Sequence, residues 1–500
     1  MRDCVFAVTS TLAGDGKAGP DMFSADDSML HSRDVDHVGG TLTKLALGKR
    51  LGDRKWPLLA TVVFFCVGMI YMFSWNPVVH HNSSWVEGGD LWGIFRGAHY
   101  VGWGFLGGIY TPGNGIVTFP GMPVLLAPLA MLTGSLHLTE SYGPFFLAHP
   151  SAALFLQPVE LLLTATVMFA GDALAEQLNV PSRRRIWLCG VVGIIAWPIA
   201  AIWGHAEDAL AICFALYAMD AMLKNKWSRG GWLLGFGIVM QPLVALTLPL
   251  FIGATPMGQR ILQTVRSSLL SVLLVGIAFA GDAGDTYTAL IKQPTPPSIN
   301  HATPWLALTP RLTSPPSGTV HRGSIVPGLG HPALQAVTVH VHSVIEVSGG
   351  PGRLIDVVFA VLLGLIVWRH PQPPVRLLWL AAVILTSRCF FESVMTPYYL
   401  TPPIVLCLVL ASRQGGKRFW SAAVIALELT VFAYHHLNPW LWWLPIVVGL
   451  TAILALAYPD DVIPENCQPE GSCSAGVEVH PDEIGERSVA DGPAWEPALL

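Results

Sequence analysis

SRRRIWLCGVVGIIAWPIAAIWGHAEDAL, Ser182–Leu210, starts with three arginines, continues as an apolar run interrupted once by Pro198, and ends in the polar turn Gly204-His205-Ala206-Glu207-Asp208. A bilayer core takes about 20 apolar residues per helix, and the basic flank of a span stays in the cytoplasm. The stretch therefore reads as a membrane span that begins inside and delivers a histidine and two carboxylates to the outer face.

The composition of the whole chain agrees. Apolar residues make up 52% and charged residues 12%, about half of the roughly 25% charged residues usual in soluble proteins. The net charge is -5, and no nucleic-acid partner is expected. Spans are expected near 56–75, 152–174, 186–203, 206–222, 262–281, 354–369, 377–391, 398–412, 419–435 and 440–457. Runs 121–138 and 231–252 contain Pro123 and Pro128, and Pro242 and Pro249, so neither reads as one straight helix.

Basic residues set the orientation. Lys44, Lys49, Arg50, Arg54 and Lys55 precede the first span, and Arg183 to Arg185, Lys224, Lys226, Arg229, Arg369 to Arg376 and Arg413 to Arg418 flank later ones. All are inside on one path only: 121–138 dips without crossing, and 231–252 is a hairpin of two short helices meeting near Met240 to Pro242. A rival path lets both runs cross once, which puts the Arg183 and Lys224 loops outside and His205 to Asp208 inside. The preferred path gives an all-α, polytopic transmembrane helical bundle of about 12 spans with outer juxtamembrane helices and both termini in the cytoplasm.

Three regions are expected: a disordered cytoplasmic segment 1–55, a membrane domain 56–458 with outer loops 76–120 and 282–352, and an acidic disordered tail 459–500. The eight cysteines are scattered, with neither ligand spacing nor a disulfide framework. No internal repeat is visible, and no nucleotide-binding glycine motif or nucleophile elbow is present.

Four clusters could carry chemistry. WVEGGDLWGIFRGAHYVGWG, 85–104, places Glu87 and Asp90 just outside the first span, ahead of a helix holding Trp92, Phe95, Arg96, Tyr100 and Trp103. A carboxylate there can act as a general base, or Asp90 can simply cap the helix; the aromatic helix suits the headgroup layer. His205, Glu207 and Asp208 form the second cluster, as hydrogen-bond partners and helix caps or as a metal site, though their spacing is not diagnostic. His301 lies in PSINHATPW, 297–305, followed by Arg311 and Arg322, and His and Arg are natural partners for a phosphate. The fourth, SRCFFESVMTPYYL, 387–400, sets Arg388 and Glu392 before Tyr398 and Tyr399; the first two can neutralise each other, or Arg388 and the tyrosines can contact a lipid-linked phosphate.

Taken together these pieces resemble the GT-C class of polytopic glycosyltransferases, in particular the bacterial polyprenol-phosphate-mannose-dependent alpha-mannosyltransferases. The resemblance rests on GGDLWGIFRGAHYVGWGFLGGIYTPGNGIVTFPGMPVLLAPLAML (88–132), SRRRIWLCGVVGIIAWPIAAIWGHAEDALAICFALYAM (182–219), GWLLGFGIVMQPLVALTLPLFI (231–252) and PSINHATPW. It departs at Gln241, where members often carry Lys, and at Pro397, Tyr398 and Tyr399, where members often carry His. The resemblance implies inverting transfer of a sugar, mannose above all, from a polyprenyl-phosphate donor to a lipid or cell-envelope glycan acceptor at the outer face. Asp90 would be the base with Glu87 in reserve, His301 would serve catalysis or donor binding, and Arg96, His205, Glu207, Asp208, Arg388, Tyr398 and Tyr399 would contact substrate. No cofactor beyond the lipid-linked donor is implied. A transporter or lipid-handling protein that binds an ion or proton on the same carboxylates is the alternative.

Overall fold

The computed structural model describes residues 54–73, 90–111, 116–140, 149–297, 300–312 and 346–460, with the backbone alone of 318–326 and 333–341. Glu87, the N-terminal segment 1–53 and the tail from 461 onward lie outside the described residues. The helices are α1 (Lys55–Phe73), α2 (Leu91–Gly102), α3 (Gly121–Ser135), α4 (Ala153–Gln177), α5 (Ser182–Pro198), α6 (Ala206–Leu223), α7 (Trp227–Met240) and α8 (Leu248–Ala254). They continue with α9 (Arg260–Gly281), α10 (Ala283–Tyr287), α11 (Gly350–Arg369), α12 (Pro374–Phe391), α13 (Thr401–Gln414), α14 (Gly416–Phe432) and α15 (Pro439–Ala457).

The fold is an all-α polytopic bundle. Among the described residues, seven helical segments are long and apolar enough to cross a membrane: α1, α4, α5 with its following turn, α9 with its preceding turn, α11, α12 and α15. Helices α6, α13 and α14 join the same two ends of the bundle but are shorter or more charged. Their inward position explains this: α13 is buried at every position from Thr401 to Ser412, so its surroundings are protein rather than lipid. α1 shows the opposite pattern. Pro57, Thr61, Phe64, Gly68 and Met72 form its one buried stripe, and Gly68 lies so close to Leu161 of α4 that an added Cβ would come within 2.5 Å of it.

One end of the bundle is cationic. Arg54 Nη1 lies 2.8 Å from Asp172 Oδ2, and Arg185 donates to both oxygens of Asp172 at 2.7 Å. Glu176 joins both arginines, Arg184 reaches the Ser412 carbonyl, and Arg376 donates to the Tyr458 hydroxyl at 2.9 Å. At the opposite end Asp90, His205, Arg353 and Glu392 come together in two clusters. The rival path does not fit: Arg185 shares Asp172 with Arg54, which precedes the first span, and His205 meets Asp90, which follows it.

Both awkward runs resolve as short helices. α3 has 15 residues, about 22 Å of helix against a core of about 30 Å. α7 stops at Met240, Gln241 is extended, and a 3-10 turn Pro242–Thr247 leads into α8. Phe251 of α8 comes back against Trp227 at the start of α7, which makes the segment the expected hairpin. Loop 282–352 adds small antiparallel pairs to this helical fold: β1 (His301–Ala302) with β6 (Val394–Met395), β2 (Arg311–Leu312) with β5 (Glu346–Val347), and the nine-residue β3 (Gly318–Val326) with β4 (Ala333–Val341).

Candidate active site

Asp90 and His205 meet because α5 does not end as an ordinary helix. Pro198 lacks an amide proton, and beyond it the chain widens into a π turn over Ile199–Trp203. Gly204 then takes a left-handed conformation, φ 73°, which favours glycine, and the amides of Gly204 and His205 both donate to the Ile199 carbonyl. This leaves the Trp203 carbonyl free to accept from the Asp90 amide at 2.9 Å. π turns recur at functional sites, and here the turn holds Asp90, at the head of α2, beside the start of α6.

The side chains complete the join. His205 Nε2 lies 2.8 Å from Asp90 Oδ2, and its Nδ1 lies 2.5 Å from Glu207 Oε1 and 3.6 Å from Asp208 Oδ2. Asp90 is 54% exposed, whereas Glu207 and Asp208 are almost wholly buried. The triad thus has a wet carboxylate at one end and a dry one at the other. Burial works to strip the proton from His205, but the charge of Glu207 and the hydrogen bonds the ring donates to Asp90 and Glu207 outweigh it, so the imidazole stays protonated well above its usual range. In that form both ring nitrogens donate. The capping alternative for Asp90 is not realised: its side chain makes no cap bond to α2 and is turned toward His205.

Four more groups close the cluster. Gln241, in the break after α7, donates to Asp208 Oδ1 at 3.0 Å. The Tyr398 ring lies 4.5 Å from the His205 ring and 5.0 Å from that of Tyr399. Glu160, on α4, is 1% exposed, lies against the Ala206 backbone, and feels the charges of Glu207, His205 and Asp208. It is a site residue that the sequence reading missed, although a lone Glu inside an apolar run was the available signal. One ligand atom each from His205, Glu207 and Asp208 fits within 4.8 Å of the others, so these three could hold a divalent cation in place of the proton on His205 Nδ1, with Asp90 orienting the imidazole from behind.

Beside this cluster stands a second. Arg353 Nε and Arg388 Nε share Glu392, at 3.1 and 3.3 Å, and Arg353 also donates to Gln293 Oε1. Arg388 stacks over the Tyr399 ring at 4.3 Å, so Tyr398 and Tyr399 link the two clusters. The expected Arg388–Glu392 pair is present, and a second arginine shares the carboxylate. Both arginines line a cavity of about 420 Å3 whose other walls include Pro242, Pro249, Leu290 and Val357. Asp356, nearly buried on α11, also faces it, with Oδ1 unbonded.

Other predicted residues stand apart. His301 is stacked between Trp442, ring centroids 4.4 Å apart, and His436, at 4.5 Å. Burial and then His436 lower its pKa to about 4, so at neutral pH it is an uncharged ring with both faces covered. Arg96 is half-buried on α2. On α2 the aromatic side chains face protein: Trp92, Phe95 and Tyr100 are buried, and its Gly97 and Gly102 pack against Ile116 and Met131. Its aromatic face belongs to the core.

No family model and no curated protein matches the chain. Among solved structures, the apo oligosaccharyltransferase of Archaeoglobus fulgidus aligns with 81% of this chain and 57% of its own, at 11% identity and a TM-score of 0.35. The chain thus spans less than two thirds of that protein's length, and the reading of the site rests on its own geometry.

Proposed function

We propose that the protein is a membrane glycosyltransferase that moves a sugar, mannose by resemblance, from a polyprenyl-phosphate donor to a hydroxyl of a lipid or envelope glycan, with inversion, at the outer face. The observation that carries the reading is the Asp90–His205–Glu207 hydrogen-bonded series, with its exposed carboxylate at the end of the bundle opposite the cationic one. The positive-inside rule makes that end external.

In this reading Asp90 accepts the proton of the acceptor hydroxyl as its oxygen attacks the anomeric carbon, while the bond from that carbon to the phosphate oxygen breaks. The electron pair leaves on the phosphate, which needs no acid to depart because it is a stable anion. His205 holds Oδ2 of Asp90 and leaves Oδ1 for the acceptor. The phosphate fits beside Arg353 and Arg388, where a guanidinium can bind it through paired hydrogen bonds. The apolar walls built by Pro242, Pro249 and Leu290 suit the isoprenoid next to it.

The buried carboxylates support one other reading. Glu160, Glu207 and Asp208 surround a single imidazole, and such a cluster also suits binding of a cation or proton by a transporter. Sealed vesicles holding the purified protein separate the two readings. Transfer of labelled mannose from polyprenyl-phosphate-mannose to an envelope lipid extract, without solute flux under a pH gradient, is the expected result. Flux driven by the gradient, with no transfer from any polyprenyl-phosphate sugar, would establish the transporter instead.

A further inference from the structure

The groove between α1 and α5, at the cationic end, has no part in this chemistry. It encloses about 650 Å3. Trp56, Val63 and Val67 wall it on α1, and Trp187, Ile194 and Trp197 on α5. Its depth comes from glycine: a Cβ at Gly190 would meet nothing within 4 Å, and Gly193 sits over Met168. The mouth is fixed by the Trp56 indole, which donates to Ser182 Oγ at 2.6 Å.

Cations flank that mouth on both walls. Lys55 lies with its ammonium 4.7 Å from the Trp56 ring centroid, on the same face as Leu59 of the groove. Arg183 stands one turn before Trp187 on the same face of α5. The neighbouring Arg54 and Arg185 are already paired with Asp172 and Glu176, and Arg184 is bonded to Ser412. Lys55 and Arg183 are both exposed, and neither has a carboxylate partner among the described residues.

We propose that this groove binds an anionic phospholipid of the cytoplasmic leaflet, its acyl chain along Gly190 and Gly193 and its phosphate between Lys55 and Arg183. Charge complementarity selects this occupant. A neutral helix from another protein would fill the apolar walls and leave two unpaired cations at headgroup level, where each is worth a few-fold in affinity for an anionic lipid.

The full chain in mild detergent, titrated with phosphatidylglycerol or with phosphatidylcholine of the same acyl chains, tests this by native mass spectrometry. Wild type is expected to keep one phosphatidylglycerol that phosphatidylcholine does not displace. Each of Lys55→Ala and Arg183→Ala should weaken it about fivefold, and Gly190→Leu should remove binding of both lipids. Equal retention of the two lipids by wild type would overturn the proposal without recourse to any variant. So would an unchanged preference in the Lys55→Ala/Arg183→Ala double variant, or a wild-type dimer that Gly190→Leu converts to monomer.

Discussion

Asp90 is held from two sides, by its own amide on the Trp203 carbonyl and by its carboxylate on His205. The backbone contact survives removal of the imidazole, so His205→Gln is expected to leave the fold intact and lower kcat by about 10- to 100-fold with little change in KM for the donor. Steady-state transfer kinetics check this, and a change confined to KM would place His205 in substrate binding instead. Glu160→Gln is the contrasting case: it replaces a buried carboxyl beside Glu207 and Asp208 with a neutral amide of the same size. The thermal midpoint should hold or rise.

The two histidines give opposite pH signatures. The pKa of His205 is raised on folding, so its contribution to stability is complete below the unfolded value near 6.5 and is lost as pH climbs through the higher folded value. His301 is lowered to about 4, so its contribution is present above about 6.5 and falls away as the pH drops toward 4. Thermal midpoints of wild type and His301→Phe between pH 4 and 7 should therefore diverge, with the variant losing less on acidification. Parallel curves would show that His301 does not titrate as its stacking implies. At this scale the sequence displayed His205, Glu207 and Asp208 as a polar turn between apolar runs, but not their pairing with Asp90. That pairing spans 115 positions and depends on a backbone contact that no local pattern encodes.

Element by element, the site depends on irregular backbone. The π turn after Pro198, the break at Gln241 and the 3-10 turn behind it all lie at the site end. Prolines marked each of these places in the sequence, which is why the hairpin near Met240 to Pro242 was readable. The π geometry was not, because proline predicts a break without its form. Gly204→Ala should cost about 1 kcal/mol through the left-handed conformation alone, and should depress transfer further by shifting His205. Gly352→Ala is harsher: a Cβ would stand 1.8 Å from the Phe391 carbonyl oxygen, and α11 would be pushed away from it, parting Arg353 from Glu392. The loss expected is about 1–3 kcal/mol or more, visible as lower yield of monodisperse protein in detergent. The β3–β4 pair escaped the sequence reading, since a loop rich in Pro, Gly, Thr and His hid two alternating runs.

Among the described residues of the membrane unit, Arg54, Lys55 and Arg183 to Arg185 gather at one end, and the Asp90–His205 and Arg353–Glu392 clusters at the other. Charge flanks chose this path from sequence alone, and the pairing of Arg185 with Arg54 through Asp172 and of His205 with Asp90 agrees with it. The span count was less legible. A hydropathy ruler cannot separate a lipid-facing helix from one like α13 that is enclosed by protein, and it cannot tell which short helices stop within the bilayer. Single cysteines at Ser182 and Phe105, introduced into a chain lacking its native cysteines, should react with an impermeant thiol reagent from opposite faces of sealed vesicles; labelling from the same face would contradict the arrangement.

The central claim is that Asp90 is the base of a sugar transfer at the outer end. Its most direct measurement is transfer of labelled mannose from polyprenyl-phosphate-mannose in sealed vesicles, comparing wild type with Asp90→Asn after both are shown to fold and bind donor alike. The account predicts that donor binding persists while transfer falls by at least about 100-fold. Transfer by Asp90→Asn at the wild-type rate would contradict it.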